Sequence, residues 1–318
     1  MAPLSSSAVR GRSGSRSRGR TRSQARSRFR SRTAGVSFVL PYLAALVLFG
    51  LVPTVYGIAT SFSVTPVIGD SYTSLTENYS AVLSDYRTLR AAQNVGSYLL
   101  IWLPSMLVVV FAVALAMDAR RTRFAALTRF VSYVPGAVTG AASALLWLFM
   151  FSPAASPASA ILRPFAGDSG TVISDGSLPV ILSVMGIAAG AGGWIVLLYG
   201  ALTDISRDVL EAAELDGAGA WHVVWHIKLP MLRSYIGFIF IVSLANGFQV
   251  FVEPQVLGAG ARGQVDSTWS LNQLVFSYAT GESNYGRASA LSVLLLVVTV
   301  TAAVIVIRKT RFYSKDAA

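Results

Sequence analysis

Residues 204–230 read DISRDVLEAAELDGAGAWHVVWHIKLP, the longest polar interruption between two apolar spans in the second half of the chain. Asp208, Glu211, Glu214 and Asp216 alternate with Val209, Leu210, Ala212, Ala213 and Leu215, so a helix here carries one apolar stripe and one acidic face. Such a helix docks on something rather than being buried on all sides. Ser206 is placed to cap its start, Asp208 suits the positive first turn, and Gly217 and Gly219 provide the backbone freedom that ends it. Trp221, Val224, Trp225 and Ile227 restart an apolar pattern that Pro230 is expected to close before the next span. The expected product is two short helices at an elbow.

Outward from this loop, composition points to the membrane. The 318 residues are 53% hydrophobic and only 13% charged, against about a quarter charged in globular proteins. Charge-free intervals run 33–69, 91–117, 130–162, 176–203, 234–252 and 288–307, each able to supply the roughly 20 apolar residues that cross a bilayer as a helix. The fold class predicted is an all-α polytopic membrane protein, with six transmembrane helices in a domain at 33–311 and an amphipathic docking helix in the loop above. The spans fall at about 36–62, 94–117, 130–151, 178–203, 232–252 and 287–307. A transmembrane barrel would alternate in segments of about ten residues, and the run from Leu291 to Ile307 does not alternate.

Charge fixes the expected orientation. The net charge is +11, and ten arginines between Arg10 and Arg32 supply most of it. Residues 1–32 are Ser, Arg and Gly with almost no apolar side chain, a composition that cannot bury a core and is expected to be disordered. An Arg/Ser run can bind nucleic acid, but tethering to a membrane favours contact with anionic lipid and a topological role, so lipid is expected as a partner and nucleic acid is not. With that tail inside, the tails at both ends and the connections 118–129 and 204–233 hold 21 of the 26 Lys and Arg. By the positive-inside rule both termini, including the short tail 312–318, and the 204–230 loop are expected in the cytoplasm of a multi-pass cell-membrane protein.

The chain has no cysteine, which removes disulfides and thiolate chemistry. His222 and His226 stand at i and i+4, the spacing of two zinc ligands on a helix, but no third ligand accompanies them, so no metal site is expected. No catalytic set of Ser, His and Asp is arranged within the spans, and no catalytic residue is assigned. In the fifth span Ser243, Asn246, Gln249 and Glu253 recur at spacings of three, three and four, which puts them on one helical face. Such a face belongs in the bundle interior or on a water-filled route, so Asn246, Gln249 and Glu253 are the candidate substrate-path residues; hydrogen-bond glue between helices is the alternative.

A family resemblance joins these pieces. Glu211-Ala212-Ala213, Asp216-Gly217-Ala218, Ile227 and Leu229-Pro230 match E-A-A-x-x-D-G-A followed by I-x-L-P, and the chain resembles the permeases of binding-protein-dependent ABC importers at their cytoplasmic coupling loop. Glu77-Asn78-Tyr79 resembles the triplet before the second span of the carbohydrate permeases, Arg129, Pro135, Trp147 and Phe149 match R-x-x-x-x-x-P and W-x-x-F, and Tyr285-Gly286 with Ala288 to Ser292 matches the start of span six. The resemblance runs from 36 to about 311 and is nearest to the maltose and glycerol-phosphate type. It departs at Val252 and at Leu257-Gly258-Ala259-Gly260, where the family carries Asp and a Thr-led glycine run.

The resemblance implies that Glu211, Ala212, Ala213, Asp216, Gly217 and Ala218 couple the chain to a cytoplasmic ABC ATPase dimer. It also implies a second homologous permease subunit and an extracytoplasmic solute-binding protein. No cofactor is expected on this chain, because no G-x-x-x-x-G-K-[ST] loop is present; ATP and Mg would sit on the partner ATPase, and the chain itself is not an enzyme. The implied cargo is a sugar or oligosaccharide. A non-sugar polar solute such as a glycerol-phosphate ester is the alternative, and an ion-coupled secondary transporter is disfavoured because titratable groups at mid-membrane are missing.

Overall fold

The computed structural model describes residues 39–66, 69–119, 123–138, 140–166 and 170–310. The predicted tails at 1–32 and 312–318 lie outside the described residues. The chain divides into a unit ending at Tyr56 and a larger unit from Gly57. In the first, the described residues belong to α1 (Val39–Thr60), which contains a π turn at Val47–Leu51 closed by the Val52 N–H on the Val47 carbonyl. Pro53 follows at once. A proline has no N–H and crowds the carbonyl four residues back, and the wider turn just upstream accommodates both defects.

The larger unit opens with a two-stranded antiparallel ribbon, β1 (Ser63–Val64) and β2 (Tyr72–Thr73), with Ser63 opposite Thr73. Then come α2 (Glu77–Ser84), α3 (Tyr86–Ala119), α4 (Arg123–Tyr133), α5 (Gly140–Met150), α6 (Ser159–Leu162) and α7 (Leu178–Thr203). The docking helix α8 (Arg207–Leu215) is followed by α9 (Ala220–Phe248), α10 (Val252–Gly260), α11 (Leu271–Phe276) and α12 (Tyr285–Thr310). Among the described residues, α1, α3, α7, α9 and α12 are long and apolar enough to cross a membrane. The chain is a multi-pass membrane protein, and its described residues are mostly helical.

The third predicted span is the one that differs most. Residues Ala125–Ala137 and α5 meet at 102°, so six spans are reached only if this broken pair is counted as one. The break has local causes: Pro135 opens a short 3₁₀ turn, Val138 is extended, and Gly140 has φ +64. The second span is longer than expected, since α3 begins at Tyr86 rather than near 94.

The core lies between α3 and α7. Val95, Leu99, Trp102, Met106, Val110, Ala114 and Met117 recur every three or four residues along α3 and are buried in one core with Leu182, Met185, Ile195, Leu198 and Leu202 of α7. Glycine lets a third element close in. A Cβ at Gly192 would strike the Ser132 carbonyl of α4, and one at Gly136 would lie 2.5 Å from the Ala189 carbonyl of α7.

Where α2 meets β1 and α12, two quoted motifs come together. Asn78 is buried and donates from Nδ2 to the carbonyls of Ser61 and Ser63 at 2.9 and 2.8 Å. A Cβ at Gly286, the first glycine of α12, would meet the Ser63 carbonyl and Asn78 Nδ2. Nearby, Arg87 donates to both carboxylate oxygens of Asp85, and to Glu282 at 2.9 Å. That guanidinium, aided by the Tyr278 hydroxyl at 2.7 Å, holds the Asp85 carboxyl down at about 2 despite burial.

Candidate functional site

The docking helix α8 is built by its own sequence. Ser206 caps it, accepting from the Asp208 N–H at 3.3 Å, and Asp208 lies in the first turn. At its end the Gly217 N–H reaches the Glu214 carbonyl at 3.0 Å and the Ala218 N–H reaches the Ala213 carbonyl at 2.9 Å, with Gly217 at φ +79. This pair of bonds with a left-handed residue is a Schellman ending. It gives the A-x-x-D-G-A spacing a physical reason: the bond from 218 to 213 closes over the glycine. Glu211, Ala212, Asp216 and Gly217 are exposed, while Ala213 and Ala218 are half-buried. Leu215 is 89% exposed, so part of the apolar stripe is left uncovered by this chain.

Downstream the outcome departs from the expected elbow. Pro230 does not end a helix, because Ala220–Phe248 is continuous. A π turn at Val224–Lys228, closed by the Leu229 N–H on the Val224 carbonyl, precedes Pro230 as the π turn in α1 precedes Pro53. Lys228, within this turn, donates to Asp118 Oδ2 at the end of α3 at 2.7 Å, and both side chains are largely buried. His222 and His226 stack at 3.9 Å, and the described residues contain no group of three metal ligands.

Lys228→Met is expected to destabilise the protein by up to about 3–5 kcal/mol, the range for stranding one partner of a buried pair. Asp118→Asn together with Lys228→Met is expected to recover most of that loss. Equal melting temperatures for the single and double variants would show that the two charges are not coupled.

The fifth-span polar residues meet a cavity. α9 ends at Phe248, Gln249 caps it, and Glu253 sits in the first turn of α10, so the four residues do not share one helical face. Asn246, Gln249 and Glu253 nevertheless line one cavity of about 490 Å³, together with Tyr98 and Trp102 of α3, Ser143 of α5 and Trp194 of α7. Ser243 is outside that wall: it is 1% exposed, and its Oγ is without a hydrogen-bond partner. A second cavity of about 470 Å³ runs between α4 and α7 and shares Ala189, Gly190, Trp194 and Asn246 with the first. Asn246 therefore stands where the two join.

The aromatic part of this wall was not read from the sequence. Tyr98 and Trp102 stack at 5.3 Å and 15°, and Trp102 Nε1 is buried with no hydrogen-bond partner. Two aromatics at i and i+4 in an aliphatic span were the available signal, and packing produces the same spacing. The segment 252–260, where the family resemblance departs, is helical: α10 packs on α5, with a Cβ at Gly260 falling 2.5 Å from Leu148, and Gln273 of α11 donates to Gln255 at 2.8 Å.

Residues 79–309 match the family model described as binding-protein-dependent transport system inner membrane component. Among curated relatives, the multiple sugar-binding transport system permease protein MsmF of Streptococcus mutans is 27% identical over 278 residues, covering 83% of this chain and 90% of its own. The sn-glycerol-3-phosphate transport system permease protein UgpA of Agrobacterium fabrum is 30% identical over 226 residues, covering 70% of this chain and 75% of its own. Among solved structures, a chain of a bacterial ABC transporter involved in import of the acidic polysaccharide alginate superposes with TM-score 0.71 at 17% identity, covering 92% of this chain and 100% of that one.

Proposed function

The chain belongs to the family of binding-protein-dependent transport system inner membrane components, and on that premise we propose that it is one transmembrane half of an ABC importer for a sugar or oligosaccharide. One observation carries the reading. The neutral amides of Asn246 and Gln249, the Glu253 carboxylate and an aromatic pair converge on a cavity between the long helices, and a second cavity continues it past Asn246. A hydroxyl-rich solute leaving water needs fixed donors and acceptors, and amides offer both without attracting ions.

The rest of the machine is read onto partners. The exposed α8, with Glu211, Ala212, Ala213, Asp216, Gly217 and Ala218, docks on a cytoplasmic ATPase dimer that binds ATP and Mg and performs the hydrolysis. A second homologous permease completes the path, and an extracytoplasmic solute-binding protein delivers the cargo. Both termini lie in the cytoplasm, as the distribution of Lys and Arg favours.

Gln249→Leu tests the path. It keeps the side chain's bulk but leaves substrate hydroxyls unpaired, at about 1–3 kcal/mol for each group so stranded. Uptake is expected to fall at least several-fold while copurification with the partner subunits and their basal ATP hydrolysis persist. Unchanged uptake would remove Gln249 from the path, and loss of assembly together with uptake would assign it to packing.

A further inference from the structure

Glu253 is the only formally charged side chain among the sixteen residues that line the larger cavity, and the ten lining the adjoining cavity carry none. The remaining polar groups of the larger wall are amides, hydroxyls and indoles, with no Lys, Arg or His. Trp102 lines the same wall with its Nε1 buried and without a partner, and Gly186 gives the indole room, since a Cβ there would lie 2.5 Å from Nε1. Within a membrane, an anion entering this space would meet one carboxylate and no compensating cation. An uncharged ring would meet acceptors, donors and aromatic faces, and an ammonium group would gain from Glu253.

From this wall, and resting on the reading above, we infer that Glu253 makes the path discriminate by charge. It admits neutral or amine-bearing carbohydrate and rejects sugar phosphates and uronates. This separates the chain from the cargo printed in the names of two of its likenesses, sn-glycerol 3-phosphate and alginate. Glu253 acts here as a specificity-determining residue: its carboxylate accepts from hydroxyls or ammonium groups and repels carboxylate and phosphate.

The absence of cysteine from the chain allows a test that does not require the cargo to be known. Ser143→Cys places one thiol on the cavity wall, opposite the α9–α10 junction in sequence but on the same cavity. The assembled importer carrying it is treated with sulfonatoethyl methanethiosulfonate, an anion, and with trimethylammonioethyl methanethiosulfonate, a cation, and each rate is divided by that of free cysteine. The cation is expected to react at least about tenfold faster than the anion, since a focused charge changes local ion concentration by that order or more. Adding Glu253→Gln is expected to bring the ratio to within about threefold, and high salt acting on the Ser143→Cys importer to lower it in the same direction. Equal normalised rates, or a ratio unmoved by both changes, would overturn the inference while leaving the water-filled path intact. Failure of both reagents to react would instead overturn the path itself, and the charge selection with it.

Discussion

Gly192→Ala is expected to lower the yield and melting temperature of the folded protein sharply, although alanine is the better helix former. Glycine within a helix costs roughly 0.5–1 kcal/mol relative to alanine, so the change would stabilise an open site. At 192 the added Cβ would strike the Ser132 carbonyl, with the carbonyl carbon at 2.8 Å and Tyr133 Cα at 3.2 Å, all backbone atoms of α4. Backbone cannot rotate away as a side chain can, so α4 and α7 must part. Helices in a membrane are held by close packing at small residues, with little hydrophobic force to replace it. Overpacking costs about 1–3 kcal/mol and sometimes more. Gly193 supplies the control: it is exposed, a Cβ there meets nothing within 4 Å, and Gly193→Ala is expected to leave stability unchanged or raise it. Equal effects at the two positions would show that α4 and α7 do not touch through Gly192.

Gly217→Val is expected to remove most uptake while the protein still inserts and folds. No atom lies within 4 Å of a Cβ at 217, so space is not the obstacle. The φ of +79 is, at about 1–2 kcal/mol for an ordinary L-residue and more for a β-branched one. Relieving that strain would open the bonds from Gly217 to Glu214 and from Ala218 to Ala213, and re-aim α8 relative to α9. Gly217→Asn, which tolerates the left-handed region, is expected to retain a substantial part of the activity. Copurification with the ATPase and transport-stimulated hydrolysis are the measurements. Normal values for Gly217→Val would show that the ending of α8 has no part in coupling.

The legible features were those fixed by local chemistry. The start and end of α8 could be read because a serine cap and a left-handed glycine act within six residues of chain. The long apolar segments could be read because the bilayer makes composition decisive. What escaped depended on neighbours distant in sequence. Pro135 was quoted for its motif, but neither the 102° bend that follows it nor the seating of Gly136 against Ala189 could be read from that motif. Gly258 and Gly260, noted only as departures from the family's glycine run, let α10 lie close to Val265 and Leu148. Ser243 fitted the polar periodicity, yet it faces the core while Asn246, one turn on in the same helix, and Gln249 and Glu253, beyond the end of that helix at Phe248, line the cavity. Tyr98 and Trp102 could not be separated from ordinary packing aromatics until the cavity beside them was seen.

The π turn at Val224–Lys228 sets a rotational phase. An α-helix advances by about 100° per residue, and a wide turn holds one residue more than an ordinary one. Everything from Leu229 to Phe248 is therefore turned about the helix axis by roughly that angle relative to a continuous α-helix grown from Ala220. The azimuth of Asn246 is thus set twenty residues away, beside the docking helix. Tightening that turn to α geometry would screw α9 about its own axis and swing Asn246 out of the wall it shares between the two cavities, without any tilt of the bundle. The same five residues hold Lys228 against Asp118, which fixes the turn to the end of α3. A one-residue change in this turn would therefore be felt at Asn246 with no substitution near the cavity.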